Sequence, residues 1–66
     1  MFKNIIIELH DGKKLVNNPY IGLNQMTIEG LKHCLEPSGS YCVYKDEYNY
    51  DFIDVREVNK IYHEED

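Results

Sequence analysis

The sequence predicts an α+β fold: a small antiparallel β-sheet or partly open barrel, with elements in the order β-β-α-β-β, carrying one short packed helix. Three observations predict it: a β-branched run leading into Asp-Gly, a capped apolar repeat at helical spacing, and two aromatic-rich segments after it. With 66 residues, 42% of them hydrophobic and 29% charged, the chain has a globular composition and the size of one small domain. We therefore expect a single domain, 1–66, whose core is either marginal or completed by a partner.

A β-hairpin is predicted over residues 1–18. The segment Ile5–Leu9 is rich in β-branched residues, and Asp11-Gly12 is a strong tight-turn signal. A two-residue loop would set Glu8 opposite an apolar residue. A three-residue loop with Gly12 in the left-handed conformation instead sets Glu8 opposite a lysine and sets apolar residues opposite apolar residues. The pairs predicted by the second register are Glu8 with Lys14, Ile7 with Leu15, and Ile6 with Val16, each contributing ~0.2–1 kcal/mol.

A short helix is predicted over residues 27–36. Thr27 suits the N-cap, and Glu29 in the first turn favours the positive end of the helix dipole. Pro37 disfavours helical geometry at the residue before it, so we expect the helix to end at Glu36. The apolar residues at helical spacing are Ile28, Leu31 and Leu35. So short a helix is not stable alone, and it must pack on the sheet.

The remainder is predicted as a second hairpin, 40–63, that contains a 3₁₀ turn, followed by a frayed acidic tail, 64–66. A third strand is expected over 41–45 and a fourth over 52–55, joined by an acidic connector, 46–51. Apolar residues then recur every three positions, which is typical of a 3₁₀ turn. A short fifth strand can begin at Ile61.

The segment Phe52-Ile53-Asp54-Val55-Arg56-Glu57-Val58-Asn59-Lys60-Ile61 resembles the strand, 3₁₀ turn and strand that close SH3-like and Sm-like small barrels. The opening Ile-Glu-Leu-His-Asp-Gly-Lys hairpin is compatible with the same barrels. The resemblance covers roughly half of the chain and rests on pattern, without a diagnostic motif. The helix after the second strand departs from the Sm arrangement, in which the helix precedes the first strand. The resemblance therefore implies a fold class and not membership of a family.

Residues that carry chemistry do not form a recognisable motif. The candidate metal ligands are His10, His33, His63, Cys34 and Cys42. They lack the close pairs of zinc sites, since the two cysteines are eight positions apart. No nucleophile elbow or phosphate-binding glycine motif is present. We therefore predict no catalytic, metal-binding or cofactor-binding residues, and a protein that is not an enzyme.

Composition also suggests where the protein works. The sequence has no apolar run near the ~18 residues of a membrane span and no leader-like start. Two cysteines in 66 residues favour free thiols in a reducing compartment. We expect a cytoplasmic protein without a membrane partner.

Ile, Asn, Lys and Tyr supply 25 of the 66 residues, and their AT-rich codons suggest a phage or mobile-element origin.

Charge is distributed unevenly along the chain. The formal net charge is −5, but residues 1–33 carry four lysines and three acidic residues, whereas residues 34–66 carry three basic and nine acidic residues. An acidic half repels phosphate backbones, so the charge disfavours direct binding of nucleic acid. The same half is suited to a protein partner with a basic surface.

Tyrosines cluster in the acidic half, where they alternate with carboxylates. Tyrosine offers a large contact area with a polar tip and is enriched at interfaces. The predicted partner-binding residues are Tyr44, Asp46, Glu47, Tyr48, Tyr50, Asp51 and Asp54. We predict a non-enzymatic interaction protein, in its sharpest form a small inhibitor that docks on a basic, nucleic-acid-handling surface.

Two other functions compete with this one. The first is a symmetric homo-oligomer that binds a small ligand, such as a nucleotide signal, between its subunits. The second is an SH3- or Sm-like nucleic-acid-binding module, which would use the lysines of the first half: Lys3, Lys13, Lys14 and Lys32. The overall charge argues against the second.

Overall fold

The computed structural model of the chain describes residues 2–22 and 24–65. In order, the elements are β1 (Ile5–Leu9), β2 (Lys14–Asn17), α1 (Ile28–Ser38), β3 (Ser40–Tyr44), β4 (Tyr50–Asp54), a 3₁₀ turn (Val55–Glu57) and β5 (Val58–His63). The strands form two antiparallel sheets, one with the order β2-β1-β5 and the other made of β3 and β4. The predicted α+β class and element order are confirmed. Within residues 2–22 and 24–65, the two sheets are not joined into a closed barrel.

The register of the first hairpin is as predicted. Ile7 lies opposite Leu15, Ile6 opposite Val16 and Glu8 opposite Lys14. Gly12 has a φ of 91°, a left-handed conformation that costs glycine little. The three-residue loop therefore sets which side chains of β1 face the core.

The fifth strand is longer than the sequence predicts and pairs along the whole of β1. Ile5 lies opposite His63 and Ile7 opposite Ile61, with a bulge next to Glu8. The pairing continues beyond the strand, because the Glu64 amide donates to the Asn4 carbonyl at 2.9 Å. Of the predicted frayed tail, 64–66, Glu64 thus bonds to Asn4, whereas Glu65 is exposed and belongs to no strand. Asp66 lies outside the described residues, as does Leu23.

The helix extends through the proline that we expected to end it. Thr27 is the N-cap and accepts a hydrogen bond from the Gly30 amide, as predicted. At the other end Gly39 adopts a φ of 76°, and its amide donates to the Leu35 carbonyl at 2.7 Å. A left-handed glycine cap satisfies terminal carbonyls. It offsets the hydrogen bond that Pro37 cannot donate, so the helix ends at Ser38 and not at Glu36.

The core lies between the two sheets and one face of α1. Leu31 and Leu35 are the buried residues of the helix, and they pack with the inward side chains of both sheets. The second sheet contributes Tyr41, Val43 and Ile53 to this core. Since side chains alternate across a strand, the other face of β3 and β4 is turned away from it.

Candidate functional site

Three aromatic rings lie together on the side of the β3–β4 sheet that faces away from the core. Tyr44 and Tyr50 are directly opposite each other, with ring centroids 5.4 Å apart. Phe52 meets Tyr50 edge-on, with centroids 6.4 Å apart. Tyr50 is 57% exposed and Phe52 is 73% exposed. We call these three residues the outer aromatic face.

The turn between the two strands is held by one carboxylate. Asp46 accepts hydrogen bonds from the backbone amides of Tyr48 (2.8 Å) and Asn49 (3.0 Å) and from the Asn49 side chain (2.9 Å). The Asn49 side chain, followed by the Tyr48 amide, lowers the pKa of Asp46. The connector is also shorter than the predicted 46–51, because Tyr50 already belongs to β4.

The two carboxylates of β4 lie beside cations of the same chain. Asp54 pairs with Arg56 at 3.1 Å, and this hydrogen bond lowers the pKa of Asp54. Asp51 lies 3.9 Å from Lys13 of the first hairpin. Both pairs are exposed, so they contribute little to stability. They do, however, partly neutralise the negative charge that the sequence places on this strand.

A shallow open depression of about 320 Å³ adjoins the outer aromatic face and is lined by Ile21, Gly22, Tyr44 and Glu47. Within the described part of the chain, Glu47 makes neither a hydrogen bond nor an ion pair. The depression therefore combines an aromatic ring with an uncompensated carboxylate. That combination suits a cationic side chain, which is attracted both to the face of an aromatic ring and to the carboxylate.

The Asn24 side chain bonds the backbone of Tyr44 at the edge of β3 that does not face β4. The Asn24 side chain accepts from the Tyr44 amide at 3.1 Å and donates to its carbonyl at 2.7 Å. Nearby, the Tyr41 hydroxyl donates to Asn17 at 2.9 Å and accepts from the Gln25 amide at 2.9 Å. We call these four bonding residues, Asn17, Asn24, Gln25 and Tyr41, the polar junction. It ties the loop before α1 to β3.

The structure separates the predicted partner-binding residues into three groups. Tyr44 and Tyr50 lie on the outer aromatic face, with Asp54 at its far end. Asp51 is directly opposite Val43 and so lies on the other side of the sheet. The turn carries the remaining predicted residues: Asp46, Glu47 and Tyr48. Tyr48 is 86% exposed.

The predicted partner-binding residues do not include Phe52. The sequence predicts Phe52 within a strand but does not indicate which face of the sheet it occupies. Its position two residues after Tyr50 was the available signal, because residues i and i+2 of a strand share a face.

Chemistry beyond binding has little support in the described residues. In segments 2–22 and 24–65, no group of three or more histidine, cysteine or acidic residues lies close enough to hold a metal ion. Cys34 and Cys42 are free thiols in this structure. No helix in these segments is long and apolar enough to cross a membrane.

Comparisons with known proteins add no relative: no family model matches the sequence, and neither the curated proteins nor the solved structures contain a match. The function must therefore be argued from the site itself.

Proposed function

We propose that this chain is a non-enzymatic interaction protein that uses its outer aromatic face to bind a basic surface of a partner protein. The observation that carries the proposal is the cluster of three rings, in which Tyr50 meets both Tyr44 and Phe52, and in which Tyr50 and Phe52 are more than half exposed. In its most specific form the protein is a phage or mobile-element inhibitor that occludes the nucleic-acid-binding surface of its partner.

The rings supply the affinity in this proposal. Fully burying a side chain of the size of Phe52 contributes about 1.5–3 kcal/mol. Because the rings of Tyr44, Tyr50 and Phe52 already pack on one another, little side-chain entropy is lost when a partner covers them. Arginine and lysine are favoured at such a surface, since both bind to the faces of aromatic rings.

The carboxylates supply orientation and steering. Asp51 and Asp54 are partly neutralised by Lys13 and Arg56. The negative charge next to the outer aromatic face therefore comes mainly from the turn, which carries Asp46 and Glu47, and Glu47 lines the open depression. We expect the association rate constant to fall as salt is raised, with a smaller effect on dissociation.

The first experiment is affinity capture of the partner from native cells by the wild-type chain and by a Tyr50→Ser/Phe52→Ser double variant. The matched control is Tyr20→Ser, which removes an aromatic ring that is 61% exposed but lies outside the outer aromatic face. We expect the wild type and the control to retain one basic protein, and the double variant to lose it. Circular dichroism and thermal unfolding establish that all three chains are folded.

The second experiment measures binding to the purified partner at low and high salt, with and without competing polynucleotide. We expect weaker binding at high salt and mutual exclusion with the polynucleotide. An acidic partner, equal capture by the double variant, or salt-independent binding contradicts the proposal. A gel shift of nucleic acid by the chain alone at low salt would instead favour the nucleic-acid module.

A further inference from the structure

The outer edge of β4 is an unpaired strand edge. β4 pairs with β3 alone, and these two strands form a sheet by themselves. No other described residue pairs with the backbone of Tyr50 or Phe52. An unpaired edge of this kind is a template for a strand from another chain.

The hydrogen bonds of the opposite strand show which backbone groups of β4 point outward. The Tyr44 amide donates to Asn24, and its carbonyl accepts from Asn18 and Asn24. Both groups therefore point away from β4. Tyr44 and Tyr50 form a pair without mutual backbone hydrogen bonds, so the amide and carbonyl of Tyr50 point away from β3 in turn.

Along β4, the backbone amide and carbonyl of every second residue point in the same direction. The backbone of Phe52 therefore points outward, and so does that of Asp54, whose amide donates to the Glu57 side chain at 3.2 Å. The intervening residues, Asp51 and Ile53, direct their backbone groups to β3. The open positions are thus those of the exposed aromatic residues Tyr50 and Phe52.

We propose that two copies of this chain pair antiparallel along β4, related by a two-fold axis that passes beside Phe52. In this register Phe52 exchanges both backbone hydrogen bonds with Phe52 of the partner subunit. The Tyr50 amide donates to the carbonyl of Asp54 of the partner subunit, while the Asp54 amide keeps its bond to Glu57. The product is a four-stranded sheet that is continuous across the two copies.

Charge selects this register among the symmetric ones. An axis at Phe52 places Asp51 opposite Ile53 of the partner subunit and Asp54 opposite Tyr50 of the partner subunit, so no carboxylate faces another. An axis at Asp51 places that carboxylate opposite its own copy, which is unfavourable. An axis at Ile53 extends the pairing into the 3₁₀ turn and leaves Tyr50 without a strand partner. The ion pairs of Asp51 and Asp54 with cations of their own chain further reduce repulsion.

The proposal is independent of the basic partner proposed above, because strand pairing occupies the edge of β4 and leaves its aromatic side chains accessible. Two short paired strands bury less than the ~1,200 Å² of a standard interface. We therefore expect a weak, concentration-dependent dimer.

The test is sedimentation equilibrium of the full chain from about 10 μM to 1 mM. It is combined with variants that place a positive or a negative charge at the residue on the two-fold axis. In the proposed register Phe52 is the residue that lies opposite its own copy. Phe52→Lys and Phe52→Glu should each weaken dimerisation by about tenfold or more, because like charges then face each other. An equimolar mixture of the two variants should restore a dimer that contains one copy of each, visible by native mass spectrometry.

A second pair of variants separates the backbone from the ring. Phe52→Pro removes the outward amide, which donates no bond to β3, and an edge strand tolerates proline at such a position. It should abolish the dimer while the chain stays folded. Phe52→Ala retains the amide and should weaken the dimer without abolishing it.

Several results would overturn the proposal: a wild-type chain that is monomeric over the whole concentration range, or a lysine–glutamate mixture that stays monomeric while the wild type dimerises. Oligomers larger than a dimer would also overturn it, because they indicate head-to-tail pairing of different edges. A monomeric chain that still captures a basic partner refutes the dimer and leaves the proposed function standing.

Discussion

Tyr41 of the polar junction and Tyr50 of the outer aromatic face lie on opposite faces of the β3–β4 sheet, and their surroundings differ. Tyr41 faces inward at 9% exposure, with its hydroxyl bonded to Asn17 and Gln25. Tyr50 faces outward, where its ring meets Tyr44 and Phe52 and otherwise solvent. The inner tyrosine therefore has a structural role, because its hydroxyl bonds other residues of the chain. The exposed rings of the outer aromatic face have no comparable structural role, and this difference makes that face the candidate binding surface.

The largest effect on stability is expected at Tyr41. Tyr41→Ala removes a buried ring and leaves the Asn17 Oδ1 without its donor, so we expect a loss of about 3–5 kcal/mol in the free energy of unfolding. Tyr41→Phe keeps the ring and should cost about 1–3 kcal/mol. Urea denaturation measures both. If Tyr50→Ala, the matched outer change, costs as much as Tyr41→Ala, the contrast between the two faces is wrong.

The next largest effect is expected at Asn24. Its side chain bonds the Asn18 carbonyl as well as both backbone groups of Tyr44. Asn24→Ala leaves the Tyr44 amide without an acceptor, while the Tyr44 and Asn18 carbonyls each keep one backbone donor. The change should destabilise the chain by about 1–3 kcal/mol. Asn59→Ala, at an exposed residue with no side-chain hydrogen bond in the structure, is the control and should stay within about 0.5 kcal/mol of the wild type. Equal losses in the two variants would show that the junction is not specific.

The smallest effect on stability is expected at low pH. Hydrogen bonds lower the pKa values of Asp46 and Asp54 below the ordinary value of an aspartate. A lowered pKa in the folded state stabilises the fold above the unfolded value, and this contribution is lost as the pH falls through the folded value. We therefore expect the 45–49 turn to loosen below about pH 4. NMR titration should show Asp46 with a midpoint below that of the same aspartate in the unfolded chain, and a midpoint at or above the unfolded value would refute the prediction.

Local signals in the sequence predicted the parts of the fold that depend on neighbouring residues. The first hairpin register follows from Gly12 and the pairing of Glu8 with Lys14, and the helix start follows from Thr27. The helix end was wrong because a glycine cap outweighed the local effect of Pro37. The length of β5 was missed because its pairing with β1 joins opposite ends of the chain.

The candidate site was predicted in composition but not in geometry. Tyrosine content pointed to residues 44–54, and Tyr44 and Tyr50 do meet there. Which side chains share a face depends on where β4 begins, and the sequence placed Tyr50 in the connector. The role of Asn24 had no signal either, because its carboxamide bonds a strand that lies about twenty positions away.

The carboxamide of Asn24 has a consequence for growth of the sheet. It occupies the amide and carbonyl of Tyr44 much as an adjacent strand would, so an incoming chain finds that position of β3 already taken. A strand that pairs with β3 must displace this carboxamide at Tyr44. In the proposed dimer the same carboxamide lies at the Tyr44 position of each outer strand, where it opposes the addition of a third chain.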